Sequence, residues 1–176
     1  MTITLIGYRA TGKTTVGQHL AARLGWEFID TDREIESVAG KSIAAIFKDD
    51  GEPHFRELES QQVNFALRKK NAVVSTGGGA VMNPASRELM QAAGPVIWLM
   101  ARVPTIIQRL QSDIATAQSR PALTDAGLVE EVSAVLNVRN PVYAAMSTLA
   151  IPTDGRETSV IVDEILAAVG IQRGFP

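Results

Sequence analysis

The chain contains no cysteine, which excludes disulfides and thiolate metal sites. Its two histidines, His19 and His54, stand apart with no ligand-type cluster around either. They offer neither a zinc pattern nor a Ser-His-Asp arrangement. A net charge of −2 argues against nucleic acid or an anionic membrane surface as a partner. No apolar run reaches the ~18 residues of a membrane span. The opening Met1-Thr2-Ile3-Thr4-Leu5-Ile6-Gly7 enters a strand at once. That leaves no room for a signal peptide, so a cytoplasmic location is expected. Internal repeats and low-complexity segments are lacking as well. With 176 residues the expectation is one domain, 1–176, able to bury ~70% of its unfolded surface. A monomer is the simplest expectation.

What is present begins at Gly7-Tyr8-Arg9-Ala10-Thr11-Gly12-Lys13-Thr14-Thr15. This stretch fits the phosphate-binding pattern G-x-x-x-x-G-K-[ST]. The apolar run Ile3-Thr4-Leu5-Ile6 before it reads as a buried strand. Val16, Leu20, Ala21 and Leu24 after it have helical spacing. Backbone N–H groups of such a loop and the following helix N-terminus form a nest for phosphate oxygens. Gly7, Arg9, Thr11, Gly12, Lys13, Thr14 and Thr15 are therefore the candidate nucleotide-binding residues. Lys13 brings a positive charge to the β- and γ-phosphates, and Thr14 a hydroxyl to Mg²⁺.

The rest of the chain alternates strand and helix. Strands are expected at Thr2–Ile6, Trp26–Ile29, Ala72–Ser75, Pro95–Leu99 and Thr148–Ile151. Helices are expected at Lys13–Leu24, Arg33–Val38, Ile43–Phe47 behind an Ser42 cap, and Pro53–Lys70. Others follow from Asn83-Pro84 to Ala93, from Val103-Pro104 onward, over Leu128–Met146 and over Thr158–Val169. Pro141 predicts a kink or break in the Leu128–Met146 helix. From 111 to 125 the apolar period fails, as expected of a mobile surface loop. The pattern implies an α/β fold, a five-stranded parallel sheet flanked by helices. Ligands in such folds lie beyond the carboxyl ends of the strands. The phosphate loop, Asp30-Thr31-Asp32 and Gly77-Gly78-Gly79 should then share one crevice.

Asp30 and Asp32, read as an extended pair, would face the crevice together. One can assist Mg²⁺, directly or through water, and the other can take the proton of an attacking hydroxyl. Where a second metal-positioning acid is often found, this chain has Ser75-Thr76, so Thr14, Asp30 and water must share the metal. The triple glycine suggests backbone pressed against a ligand. Arg56 lies three residues before Glu59 on one helical face, and Glu59 can hold it in place. Arg56 and Arg139 could grip an anionic substrate with their planar forks. Arg120, in the 111–125 loop, could swing onto phosphates.

Together these residues resemble the shikimate kinase family, of the nucleoside monophosphate kinase-like P-loop group. The resemblance runs from Ile3 to about Val169. It is carried by Gly7–Thr15, by Phe28-Ile29-Asp30-Thr31-Asp32 and by Phe55-Arg56-Glu57-Leu58-Glu59. It is carried further by Ser75-Thr76-Gly77-Gly78-Gly79-Ala80, by Arg120-Pro121 and by Arg139 to Tyr143. It implies a P-loop kinase fold with a lid at about 111–125 and a substrate-binding helical region at about 31–62. It also implies ATP-dependent phosphorylation of the 3-hydroxyl of shikimate, a step of aromatic amino acid biosynthesis, with ATP and Mg²⁺. By carry-over, Asp32 binds that hydroxyl and is the candidate base, and Asp30 lies toward the metal. Arg56, Arg139 and the Gly78–Gly79 backbone hold shikimate, and Glu59 supports Arg56. Lys13 and Arg120 hold phosphates, while Arg109 packs on adenine. The chain departs from the family pattern at Ala10, where glycine is usual, at Ala122, where leucine is often found, and in 152–158, which lacks an asparagine–proline turn. A kinase of the same fold for gluconate or a nucleoside monophosphate is the alternative activity. A non-enzymatic nucleotide-binding module is the other.

Overall fold

The computed structural model describes residues 1–112 and 127–170. Five strands form one sheet: β1 Thr2–Ile6, β2 Glu27–Asp30, β3 Ala72–Ser75, β4 Val96–Met100 and β5 Leu149–Pro152. Their order is β2-β3-β1-β4-β5, and every pairing is parallel. The central strands β1 and β3 are buried at every position, Thr2, Thr4 and Ser75 included, as parallel strands covered on both faces are. The edge strands β2 and β5 are partly exposed. Pro152 closes β5, where an edge tolerates a missing N–H.

The helices among the described residues are α1 Lys13–Leu24, α2 Thr31–Ala39, α3 Ile43–Asp49, α4 Gly51–Leu67, α5 Pro84–Ala93, α6 Val103–Ser112, α7 Leu128–Met146 and α8 Thr158–Ala168. Alternation along the strands divides the core between two faces. Ile3, Leu5, Ile97 and Leu99 meet Val16 and Leu20 of α1 and Ile161 and Ile165 of α8. Ile6 and Val96 point the other way, to Val63 of α4, Met90 of α5 and Tyr143 and Met146 of α7. Two smaller clusters sit over the carboxyl end of the sheet. Ile35, Ile43, Ile46 and Phe55 bind α2 and α3 to α4. Tyr8 joins the phosphate loop to α6 and α7 through Ile106, Leu110, Val132 and Leu136. No helix among the described residues is long and apolar enough to cross a membrane.

Several boundaries differ from the sequence expectation. Helix α4 starts at Gly51 rather than Pro53 and ends at Leu67 rather than Lys70. Helix α7 runs unbroken through Pro141. An interior proline costs ~3 kcal/mol, but buried Val132, Leu136, Tyr143 and Met146 lie on both sides of it, and their packing holds the helix together. The expected caps Ser42 and Asn83 do accept backbone N–H groups, from Ala45 and Ala85.

Candidate active site

The phosphate loop joins β1 to α1 with Gly12, at φ 95°, as the cap residue. Thr11 Oγ1 donates to Tyr8 O at 2.8 Å, so this side chain braces the loop from within. Lys13 is buried and its Nζ donates to Gly7 O and Tyr8 O. A phosphate oxygen would draw on the same ammonium. Ala10 adopts φ 61°, the left-handed region that costs an L-residue about 1–2 kcal/mol. The backbone thus keeps the course a glycine would give it, with strain retained at Ala10. Its carbonyl accepts from Arg109 Nη1 at 3.1 Å.

The Asp-x-Asp segment is built differently from the extended pair expected of it. Helix α2 begins at Thr31, so Asp32 already lies in its first turn. Asp30 is the cap, its Oδ1 accepting from the Asp32 N–H at 3.1 Å, as suits a carboxylate at a helix N-terminus. The cap turns the two carboxylates to different tasks. Asp30 Oδ2 accepts from Thr14 Oγ1 at 2.9 Å, which joins the two candidate metal residues. Asp32 lies instead beside the glycines: a methyl group built on Gly77 would fall 2.7 Å from Asp32 Oδ1 and 2.9 Å from Glu59 Oε1. Buried Thr31 sets this closeness, its Oγ1 accepting from the Gly77 N–H at 3.2 Å.

The triple glycine is where several charged side chains converge. A methyl on Gly79 would sit 2.5 Å from Arg56 Nη1, and one on Gly78 would sit 3.4 Å from Arg139 Nη1. These glycines therefore make room for the site's own charged side chains. Gly78 O accepts from the fully buried Tyr143 hydroxyl at 2.6 Å, which ties this backbone to α7 below Arg139. Arg56 Nη1 donates to Glu59 Oε2 at 2.8 Å, as its spacing implied. Arg56 Nε and Nη2 also donate to Glu52, at 3.1 and 2.9 Å. Burial works against the Arg56 charge, but Glu59 and Glu52 outweigh it and raise its pKa above the ordinary value.

On the opposite side lies a cavity of about 680 Å³ lined by Gly12, Thr15, Arg109, Thr153, Gly155 and Arg156, among others. Arg109 is fixed there by Thr153, through Nη1 to its hydroxyl at 3.0 Å and Nη2 to its carbonyl at 2.9 Å. Arg9 is drawn to the buried carboxylate of Glu131 on α7, with Nη2 to Oε1 at 3.2 Å. Arg120 lies outside the described residues.

The structure thus brings together Lys13, Thr14, Asp30 and Asp32, and sets Arg56, Glu59 and Arg139 around Gly77–Gly79. Sequence reasoning missed Glu52, Thr31, Tyr143, Thr153 and Glu131. Glu52 was legible as an i,i+4 partner of Arg56. Tyr143 stood at the end of the Arg139 segment. Thr31, Thr153 and Glu131 had no local signal.

A family model for shikimate kinase matches residues 9–170. A protein described as shikimate kinase from Rhodopirellula baltica is 38% identical over 164 residues, covering 93% of this chain and 88% of that one. The solved structure of shikimate kinase from Acinetobacter baumannii in complex with shikimate is 35% identical, with a TM-score of 0.87 over 94% of this chain and 90% of that one. A gluconokinase structure from Sinorhizobium meliloti, 16% identical with a TM-score of 0.56, covers 96% of this chain and 91% of that one, and shares the fold. With its nucleotide-binding loop, its parallel sheet and this breadth of likeness, the chain belongs to the shikimate kinase family.

Proposed function

We propose that this protein transfers the γ-phosphoryl group of ATP to the 3-hydroxyl of shikimate, giving shikimate 3-phosphate and ADP. One observation carries this reading. Asp32, Arg56, Glu59 and Arg139 crowd the backbone of Gly77–Gly79, while Thr14 and Asp30 meet at the phosphate loop in the same crevice. A proton acceptor, an anion grip and a triphosphate cradle are thereby within one site.

The nucleotide lies with its phosphates on the loop from Gly7 to Thr15 and its base in the cavity beside Arg109. Lys13 neutralises charge as it gathers on the transferred group. The Thr14 hydroxyl and the Asp30 carboxylate are hard oxygen donors, the kind Mg²⁺ takes. With so few protein donors, Mg²⁺ would keep waters and phosphate oxygens in its shell. When bound, the ion would neutralise charge on the transferring phosphates, with Thr14 and Asp30 as its protein donors.

Arg56 and Arg139 orient the acceptor by its carboxylate, and the Gly78–Gly79 backbone limits where its ring can lie. Asp32 accepts a hydrogen bond from the 3-hydroxyl. As the oxygen–phosphorus bond forms and the bond to ADP breaks, the hydroxyl proton passes to Asp32 and on to water. The helical region at about 31–62 forms the acceptor side. The family resemblance gives Arg120, in the segment at about 111–125, the role of holding phosphates, and water must be kept from the transferred group. The deciding measurement is nucleotide turnover with shikimate, gluconate, AMP and CMP side by side. Shikimate alone should be phosphorylated; turnover with gluconate and none with shikimate overturns the assignment.

A further inference from the structure

Arg56 has two hydrogen-bonding edges, and the chain's own carboxylates occupy both. Nη1 donates to Glu59 Oε2 at 2.8 Å. On the other edge Nε and Nη2 both donate to a single oxygen, Glu52 Oε1, at 3.1 and 2.9 Å. The two glutamates differ in setting. The Glu59 side chain is 6% exposed and that of Glu52 is 61% exposed. Glu59 is a buried anchor, and removing a buried partner strands the charge left behind. Glu52 stands in the first turn of α4 and can rotate into water, giving up only an exposed ion pair. The Nε–Nη2 edge is also the one with which a guanidinium grips a carboxylate side-on.

We propose that Glu52 is an internal competitor for Arg56, occupying the edge that the acceptor's carboxylate must take. This rests on the reading of Arg56 as the residue that binds that carboxylate. Glu52 raises the threshold for every anion at this position. A small anion with the Arg56 contact alone stays off at ambient concentration. An acceptor that also reaches Asp32, Gly78 and Arg139 has further contacts with which to displace Glu52. Glu52 is thus a specificity-determining residue that acts through Arg56. A purely supporting role, in which Glu52 pre-sets the fork for the ligand, predicts the opposite sign.

The test uses the full chain with Glu52→Gln and Glu52→Ala. It measures the shikimate KM at saturating ATP and the inhibition constant of benzoate, a ring carboxylate without hydroxyls. Both constants should fall by about two- to fivefold, as loss of an exposed ion pair allows, with kcat and the ATP KM unchanged. In an Arg56→Ala background the Glu52→Ala effect should vanish, since the competitor then has nothing to occupy. A shikimate KM that is unchanged or raised in both Glu52 variants, while Arg56→Ala raises it, overturns the competitor role alone. A shikimate KM that Arg56→Ala leaves unchanged overturns the reading of Arg56 itself.

Discussion

The two sides of the crevice hold their arginines by different means. On the acceptor side Arg56 is held by Glu52 and Glu59, four and three residues away on the same helix. On the nucleotide side Arg109 is held by Thr153 and Ala10, 44 and 99 positions away. Arg9 is held by Glu131, 122 positions away. The first arrangement follows from helical spacing and forms wherever α4 forms. The second exists only once the sheet has brought α6, α7 and the phosphate loop together. A local triad should fail one residue at a time, whereas a remote one should couple ligand binding to global stability.

The sharpest break of that contrast is Asp32→Asn, which removes the proton acceptor from the acceptor side. It should lower kcat by about 10²- to 10⁴-fold while ADP binding, followed by calorimetry, stays near wild type. A kcat within about threefold would mean that phosphoryl transfer here is too dissociative to need a base. Arg139→Ala comes next. Loss of a charged hydrogen-bond partner is worth about 1.5–3 kcal/mol, so the shikimate KM should rise by about 10- to 100-fold with the ATP KM unmoved. An altered ATP KM alone would place Arg139 on the wrong side of the crevice.

Glu131→Gln tests the remote side. It leaves Arg9 half-buried without its carboxylate. Thermal unfolding should fall by several degrees, consistent with a loss of about 1–3 kcal/mol, and the ATP KM should rise with the shikimate KM held. If stability is unchanged, the Arg9–Glu131 pair contributes nothing and the contrast weakens. The smallest effect is expected of Ala10→Gly. Relief of the left-handed backbone, less the extra freedom of the unfolded chain, should stabilise the protein by under about 1 kcal/mol. The urea midpoint should rise with the m-value unchanged; a lower midpoint would show that the Ala10 methyl group earns more by packing beside Tyr8 than the strain costs.

Much of the acceptor side was legible because its signals are short. Arg56 and Glu59 are one helical turn apart, and the triple glycine is contiguous. The Asp30–Asp32 pair was legible as residues but not as geometry. Its extended reading set both carboxylates to one side, whereas Asp30 caps the next helix, which directs Asp30 to Thr14 and Asp32 to Gly77. Local propensity gave a kink or break at Pro141, and of these a break is excluded, since the helix continues with buried side chains on both flanks.

By itself the sequence determined the alternation of strand and helix, the phosphate loop and the charged residues available to a kinase site. All of these depend on periodicity or on spacings of a few residues. Tertiary structure alone decided which residues from distant parts of the chain face one another. It placed Thr31 under Gly77, tied Tyr143 to Gly78, and gave Arg109 to Thr153 and Arg9 to Glu131. These contacts join residues from 44 to 122 positions apart. No local pattern encodes such pairings, because the parallel sheet sets them: each crossover returns the chain to the same end of the strands, and the order β2-β3-β1-β4-β5 settles which loops become neighbours.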